Sequence, residues 1–219
     1  MVATEIFLDD PSALDAELGR LHRSLHADEG DGGDSGLGDF ADHLLPALVE
    51  RGRVYADPLP GYWKDLGRPQ AYLQAHRDLL AGRVDVFDRP GLPVRSGGVD
   101  GPPAWFGPEA EVSEAMAGPG SRVRGRVVRS VLGPRVEVQS GAVVEDSVLL
   151  GDTLVEAEAV VRTSVLDTGV VVGRGARVGA TPSGTRLTDE VITLVGKDCR
   201  IGRGSTVAAG ARLDPGATA

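Results

Sequence analysis

Two stretches of the chain carry an aliphatic residue at every sixth position. In the first these are Leu132, Val138, Val144 and Leu150, with Val136, Ala142, Val148 and Leu154 four places further on. In the second they are Val195, Ile201, Val207 and Leu213, followed by Cys199, Ser205, Ala211 and Ala217. A period of six matches neither the 3.6-residue helix nor the two-residue alternation of a simple strand. It matches a parallel β-helix of hexapeptides, in which each hexad supplies one flat side of a triangular coil. The large aliphatic fills the interior and the smaller residue lies beside a corner. Gly196, Gly202 and Asp214, each next to an inward aliphatic, suit the turn. The pattern divides the chain. Residues 121–219 are scaffold, and chemistry is to be sought before them or at the junction.

The repeat slips in places. Val155 and Val161 sit one residue early, and Leu166, Val172 and Val178 one earlier again, as expected where a corner loses a residue. Residues 179–190, with Thr181-Pro182-Ser183-Gly184-Thr185, break the pattern and read as a loop thrown out from one corner. The hexads add up to roughly four coils of three faces. Composition agrees: aromatics are 4% and there are 31 glycines, which suits thin interiors with a turn every few residues. The single cysteine, Cys199, falls at an inward small position and reads as a packed thiol.

Before the coil the pattern is mixed. Residues 4–8 read as a strand. Asp10 and Pro11 open a helix whose apolar stripe is Leu14, Leu18, Leu21 and Leu25. Residues 27–38 form an acidic loop whose Asp spacing misses the one-three-five pattern of a calcium loop. A helix over about 40–51 turns Leu44, Leu45 and Leu48 inward, and Arg53–Ala56 reads as a second strand. Pro69 starts a further helix to about Leu80, and the Pro- and Gly-rich residues 82–120 read as a linker. Residues 1–81 are therefore expected to be an α/β body, followed by the linker and an all-β coil. The net charge of −9 disfavours nucleic acid and anionic membranes as partners. The sequence holds no apolar run of membrane-spanning length, which leads to the expectation of a cytoplasmic protein.

The most specific motif outside the repeat is Tyr62-Trp63-Lys64-Asp65-Leu66-Gly67. It sets an acid after an expected strand and before a helix, at the carboxyl edge where α/β proteins bind ligands. A carboxylate there suits Mg²⁺, which takes one or two protein oxygens and otherwise phosphate and water. Trp63 beside it can pack on a sugar ring. The plainer alternative makes Asp65 a helix cap and Trp63 a core residue.

Taken with Gly38-Asp39-Phe40 leading to Leu45-Pro46, Arg53-Val54-Tyr55-Ala56, and the later Asp88-Arg89…Leu92-Pro93-Val94-Arg95, this motif order resembles one family. It is similar to the second half of bacterial glucose-1-phosphate adenylyltransferases, the ADP-glucose pyrophosphorylases of glycogen synthesis. The resemblance implies the C-terminal part of a Rossmann-like nucleotidyltransferase domain over 1–81, a linker over 82–120, and a left-handed β-helix over 121–219. It implies transfer of the adenylyl group of ATP to glucose 1-phosphate with release of pyrophosphate. Asp65 then matches a Mg²⁺-binding acid and Trp63 a residue of the sugar-phosphate pocket. Lys64 stands where the family has Arg, at a position expected to face outward. The family is tetrameric, so a homo-oligomer or a partnership with a full-length subunit is implied. The 219 residues contain no Gly-Gly-x-Gly-Thr-Arg-Leu phosphate loop and no Glu-Lys-Pro segment. The expectation is a C-terminal half, whether by truncation, a mis-called start or a genuine split, and inactive alone.

Rival readings are a hexapeptide acyltransferase and a trimeric zinc enzyme. Both need imidazoles on the coil, and His22, His26, His43 and His76 all precede it. A non-catalytic assembly or regulatory subunit is the stronger alternative. A related transferase using another nucleotide is not distinguished, because the base-reading residues belong to the half without a counterpart here.

Overall fold

The computed structural model describes residues 6–25, 40–52, 54–87, 91, 97–181 and 187–219. The chain divides into two compact units, Met1–Trp63 and Lys64–Ala219.

The first unit is a helix pair. Helix α1 (Pro11–Leu25) begins as expected: Asp10 Oδ1 accepts the N–H groups of Ser12 at 2.8 Å and Ala13 at 3.1 Å, two donors with no partner inside the helix. Its stripe of Leu14, Leu18, Leu21 and Leu25 is half-buried. Helix α2 (Leu44–Glu50) is shorter than the expected 40–51, and Pro46 sits in its first turn, where a missing N–H costs least. Leu44 is buried, and Phe40 just ahead stacks on Phe7 with ring centroids 4.5 Å apart. Glu17 is buried at the contact and is paired with Arg51 and Arg20. The two expected strands are not formed. Residues 6–8 and 54–56 are irregular and largely exposed, and the rest of both segments lies outside the described residues. A strand exists through its ladder, and no neighbour pairs with either segment among the described residues.

The second unit contains the solenoid. Its strands form three six-stranded parallel faces. The first face runs from Trp105–Phe106 to Arg200–Ile201, the second from Glu111–Ser113 to Thr206–Val207, and the third from Met116–Ala117 to Arg212–Leu213. This makes six turns rather than four. The coil also begins before residue 121, inside the stretch expected to be linker: Trp105 already pairs with Arg122, and Met116 with Val131. Gly107, Pro108, Gly118, Pro119 and Gly120, among the residues that suggested a linker, lie between the first strands of the coil. Gly120 has φ +74°, and a Cβ on Gly118 would come within 2.8 Å of Pro134 N.

Successive turns stack like on like. Val123, Val138, Val155, Val172 and Ile201 lie in one inward column, all at most 2% exposed. Burying each such side chain contributes roughly 1.5–3 kcal/mol. Cys199 is buried as expected, its Sγ 3.1 Å from the carbonyl of Asp214. The repeat of 138, 155 and 172 is seventeen residues, one short of three hexads. The shortened corner is visible. Arg129, Asp146 and Thr163 take left-handed φ of 45–49°, and each precedes a buried serine. The Ser130 hydroxyl donates to Val128 O and accepts from Ser147 N–H; Ser147 does the same with Glu145 O and Ser164 N–H. This hydroxyl ladder satisfies backbone groups that the missing residue would otherwise strand. It also corrects one assignment: after Ser147 the inward residue is Leu149, while Leu150 and Leu154 are half-buried.

Charges bind turn to turn on the second face. Arg126 pairs with Glu111 at 3.0 Å and Glu145 at 3.5 Å, and Glu145 accepts from Arg162 at 2.8 Å. The Arg162 hydrogen bond holds the Glu145 carboxyl below its ordinary 4.5; partial burial opposes this, and the charges of Arg162 and Arg126 add to it. A depressed folded value stabilises the fold above pH 4.5, and that contribution disappears as pH falls through the folded value. Because the pair is partly exposed, the contribution is about 1 kcal/mol or less. Glu145→Gln should therefore melt slightly below the parent at pH 7, with the gap closing as pH falls below 4.5. A gap that stays constant across that range contradicts the assignment.

Helix α3 (Pro69–Leu80), with the expected bounds, lies on the outside of the third face. Leu73, 1% exposed, packs with Val148, Leu187 and Ile192, and Arg77 reaches Asp146 at 3.1 Å. Leu187 lies within the 179–190 break in the repeat and Ile192 just after it, ahead of the fifth turn's strand on the third face. Among the described residues no helix is long and apolar enough to cross a membrane.

Candidate functional site

The motif Tyr62–Gly67 occupies irregular chain just ahead of α3. Trp63 closes the first unit and is 38% exposed, so it is not the core residue of the plainer reading. An indole left at the surface offers a flat apolar face with one donor.

Lys64 begins the second unit. Rather than facing outward, it reaches Asp78 of α3, with Nζ 2.7 Å from Oδ2. Asp78 is 6% exposed, and its Oδ1 also receives Gln74 Nε2 at 2.9 Å and Arg83 Nε at 3.1 Å. A carboxylate this buried needs such donors.

Asp65 is exposed, and its Oδ1 accepts the Gly67 N–H at 2.9 Å, closing an Asx turn. It does not cap α3. The residue at the cap position is Arg68, extended at φ −128° and ψ 145°, with no side-chain bond to the helix. The first-turn donor is met from elsewhere: Asp189 Oδ1 accepts the Gln70 N–H at 2.8 Å, from 119 residues away. Sequence reasoning missed Asp189, because nothing near residue 189 marks a helix that distant.

One exposed carboxylate with one oxygen engaged fits Mg²⁺ only in part. That ion commonly takes one or two carboxylates and completes its shell with phosphate and water. Among the described residues, no group of three or more His, Cys, Asp or Glu could hold a metal. Asp65 can therefore supply one ligand, the rest of the shell being left to substrate oxygens, water or a further acid. A groove of about 590 Å³ lies beside the last turn of α3, over Leu79, Leu80, Phe87 and Met116; neither Trp63 nor Asp65 lines it.

Residues 102–195 match the family described as GlmU-like, C-terminal hexapeptide. Over a longer stretch the chain is similar to proteins named glucose-1-phosphate adenylyltransferase. The one from Leifsonia xyli subsp. xyli is 32% identical over 182 residues, covering 77% of this chain and 42% of that protein. The one from Acetivibrio thermocellus is 29% identical over 189 residues, covering 83% and 44%. The one from Geobacillus stearothermophilus is 40% identical over 110 residues, covering 49% and 28%. The chain thus spans less than half the length of these relatives. Since 77% of 219 residues is about 169, an aligned stretch that long includes residues 51–169 wherever it starts. The similarity to the Leifsonia protein takes in the Tyr62–Gly67 motif as well as the coil.

Proposed function

We propose that this chain works as the solenoid-bearing part of a glucose-1-phosphate adenylyltransferase, joining ATP and glucose 1-phosphate into ADP-glucose and pyrophosphate for glycogen synthesis. The observation that carries the reading is the similarity to the Leifsonia enzyme running through the motif rather than stopping at the coil. On this reading α1–α3 belong to a nucleotidyltransferase domain, the coil is left-handed, and the assembly is a cytoplasmic homo-oligomer, tetrameric as in the family. Bound Mg²⁺ would neutralise phosphate charge as pyrophosphate departs. Asp65 would hold that ion from one side, and the exposed indole of Trp63 would orient the glucose ring. Positioning of this kind supplies much of the catalysis in phosphate transfer.

The 219 residues contain no Gly-Gly-x-Gly-Thr-Arg-Leu segment, the kind of glycine-rich stretch whose backbone N–H groups cradle a triphosphate. Calorimetry of Mg²⁺–ATP against this chain should therefore give a dissociation constant of about 1 mM or weaker, under roughly 4 kcal/mol of binding. Micromolar binding would show a complete nucleotide site here and would overturn this division of labour.

A further inference from the structure

We infer that Asp189 is a positioning residue for Asp65, acting from the solenoid through the first turn of α3. The inference rests on the reading of Asp65 as a metal ligand. The chain around Asp65 is tied on both sides. Behind it, Lys64 is fixed to Asp78 at 2.7 Å. Ahead of it, Gln70 N–H is fixed to Asp189 at 2.8 Å. Only Asp65–Pro69 lie between, and the Asp65–Gly67 turn uses part of that span. A Cβ on Gly67 would sit 3.3 Å from Asp65 Oδ1, so the turn is close-packed.

Both anchors lead to the coil. Asp78 lies on α3, whose Leu73 is buried among Val148, Leu187 and Ile192 and whose Arg77 reaches Asp146. Asp189 is on the insertion of the fifth turn, between Leu187 and Ile192, which are themselves buried at 6% and 0% exposure. Arg68 offers α3 no cap of its own, so this first-turn donor depends on Asp189. Loss of that acceptor frees the helix start, and with it Arg68, Gly67 and the Asx turn. The buried contacts of Leu73 remain, so the helix stays docked. The insertion thereby lets the scaffold set where the Asp65 carboxylate points.

Two measurements test this. In hydrogen exchange on the full chain, Asp189→Ala should speed exchange of the Gly67 and Gln70 amides about tenfold, with the Val155 and Val172 amides unchanged. Asp189→Asn keeps the acceptor oxygen and should restore protection. Unchanged Gly67 exchange overturns the coupling. The second measurement uses a chimera in which this chain replaces the matching stretch of the Leifsonia enzyme. There Asp189→Ala should raise the Mg²⁺ concentration for half-maximal turnover about tenfold, and Asp189→Asn should not. A merely structural role would lower the melting temperature and leave the Mg²⁺ requirement alone; that result overturns the positioning role. Faster Gly67 exchange in Asp189→Ala together with an inactive parent chimera overturns the metal reading of Asp65, and the positioning role with it, while the coupling stands.

Discussion

Val138→Asp should unfold the solenoid or lower its melting point by roughly 10–20 °C. Val138 is fully buried, stacked between Val123 and Val155, which are equally buried. The interior around it is Val, Leu and Ala, with no donor for a carboxylate. An ionised Asp there is uncompensated, and a neutral one still lacks a hydrogen-bond partner; either costs about 3–5 kcal/mol. Total stabilities are commonly about 5–15 kcal/mol, so a loss of that size dominates. Ile201→Asp follows the same logic in the last turn, where Ile201 is 2% exposed. Leu154→Asp is the control. It is half-buried beside inward Val155, and should cost no more than about 1 kcal/mol. Thermal melts of the three variants check the assignment. If Val138→Asp melts with the parent, the inward column is misplaced.

Asp65→Asn should remove most turnover from the chimera with the Leifsonia enzyme while leaving its melting curve unchanged. The side chain is exposed and packs in no core, and its one hydrogen bond is to Gly67 N–H. The amide oxygen of Asn can still accept that bond, so the turn survives. What disappears is the negative charge that the proposed metal would need. Loss of one such charge at a metal clamp is expected to lower kcat by about 10²–10³. Steady-state kinetics with saturating Mg²⁺ and ATP read this directly. Full activity in Asp65→Asn returns Asp65 to a turn-forming acid.

The coil was legible because inward aliphatics recur at a fixed spacing, and a solenoid has no other use for that spacing. Its exact phase was less so. Leu149 and Leu150 are both aliphatic, and the choice between them falls to the buried corner at Ser147, not to hydrophobicity. The signal was present as Ser130, Ser147 and Ser164, seventeen residues apart. The first turn was hidden by its Pro and Gly, which serve equally in corners and in linkers. The Asp10 cap and the Pro69–Leu80 helix could be read locally, since their determinants lie within a few residues. The motif around Asp65 could be found but not its surroundings. The ties from Lys64 to Asp78 and from Gln70 to Asp189 span 14 and 119 residues, and no local rule foretells a partner at that range.

The most direct measurement is pyrophosphate release from ATP and glucose 1-phosphate by that chimera, set beside its Asp65→Asn form. The account predicts turnover in the first and its near-complete loss in the second, with both folded. A folded chimera that makes no ADP-glucose, or one whose Asp65→Asn form is as fast as the parent, would contradict it.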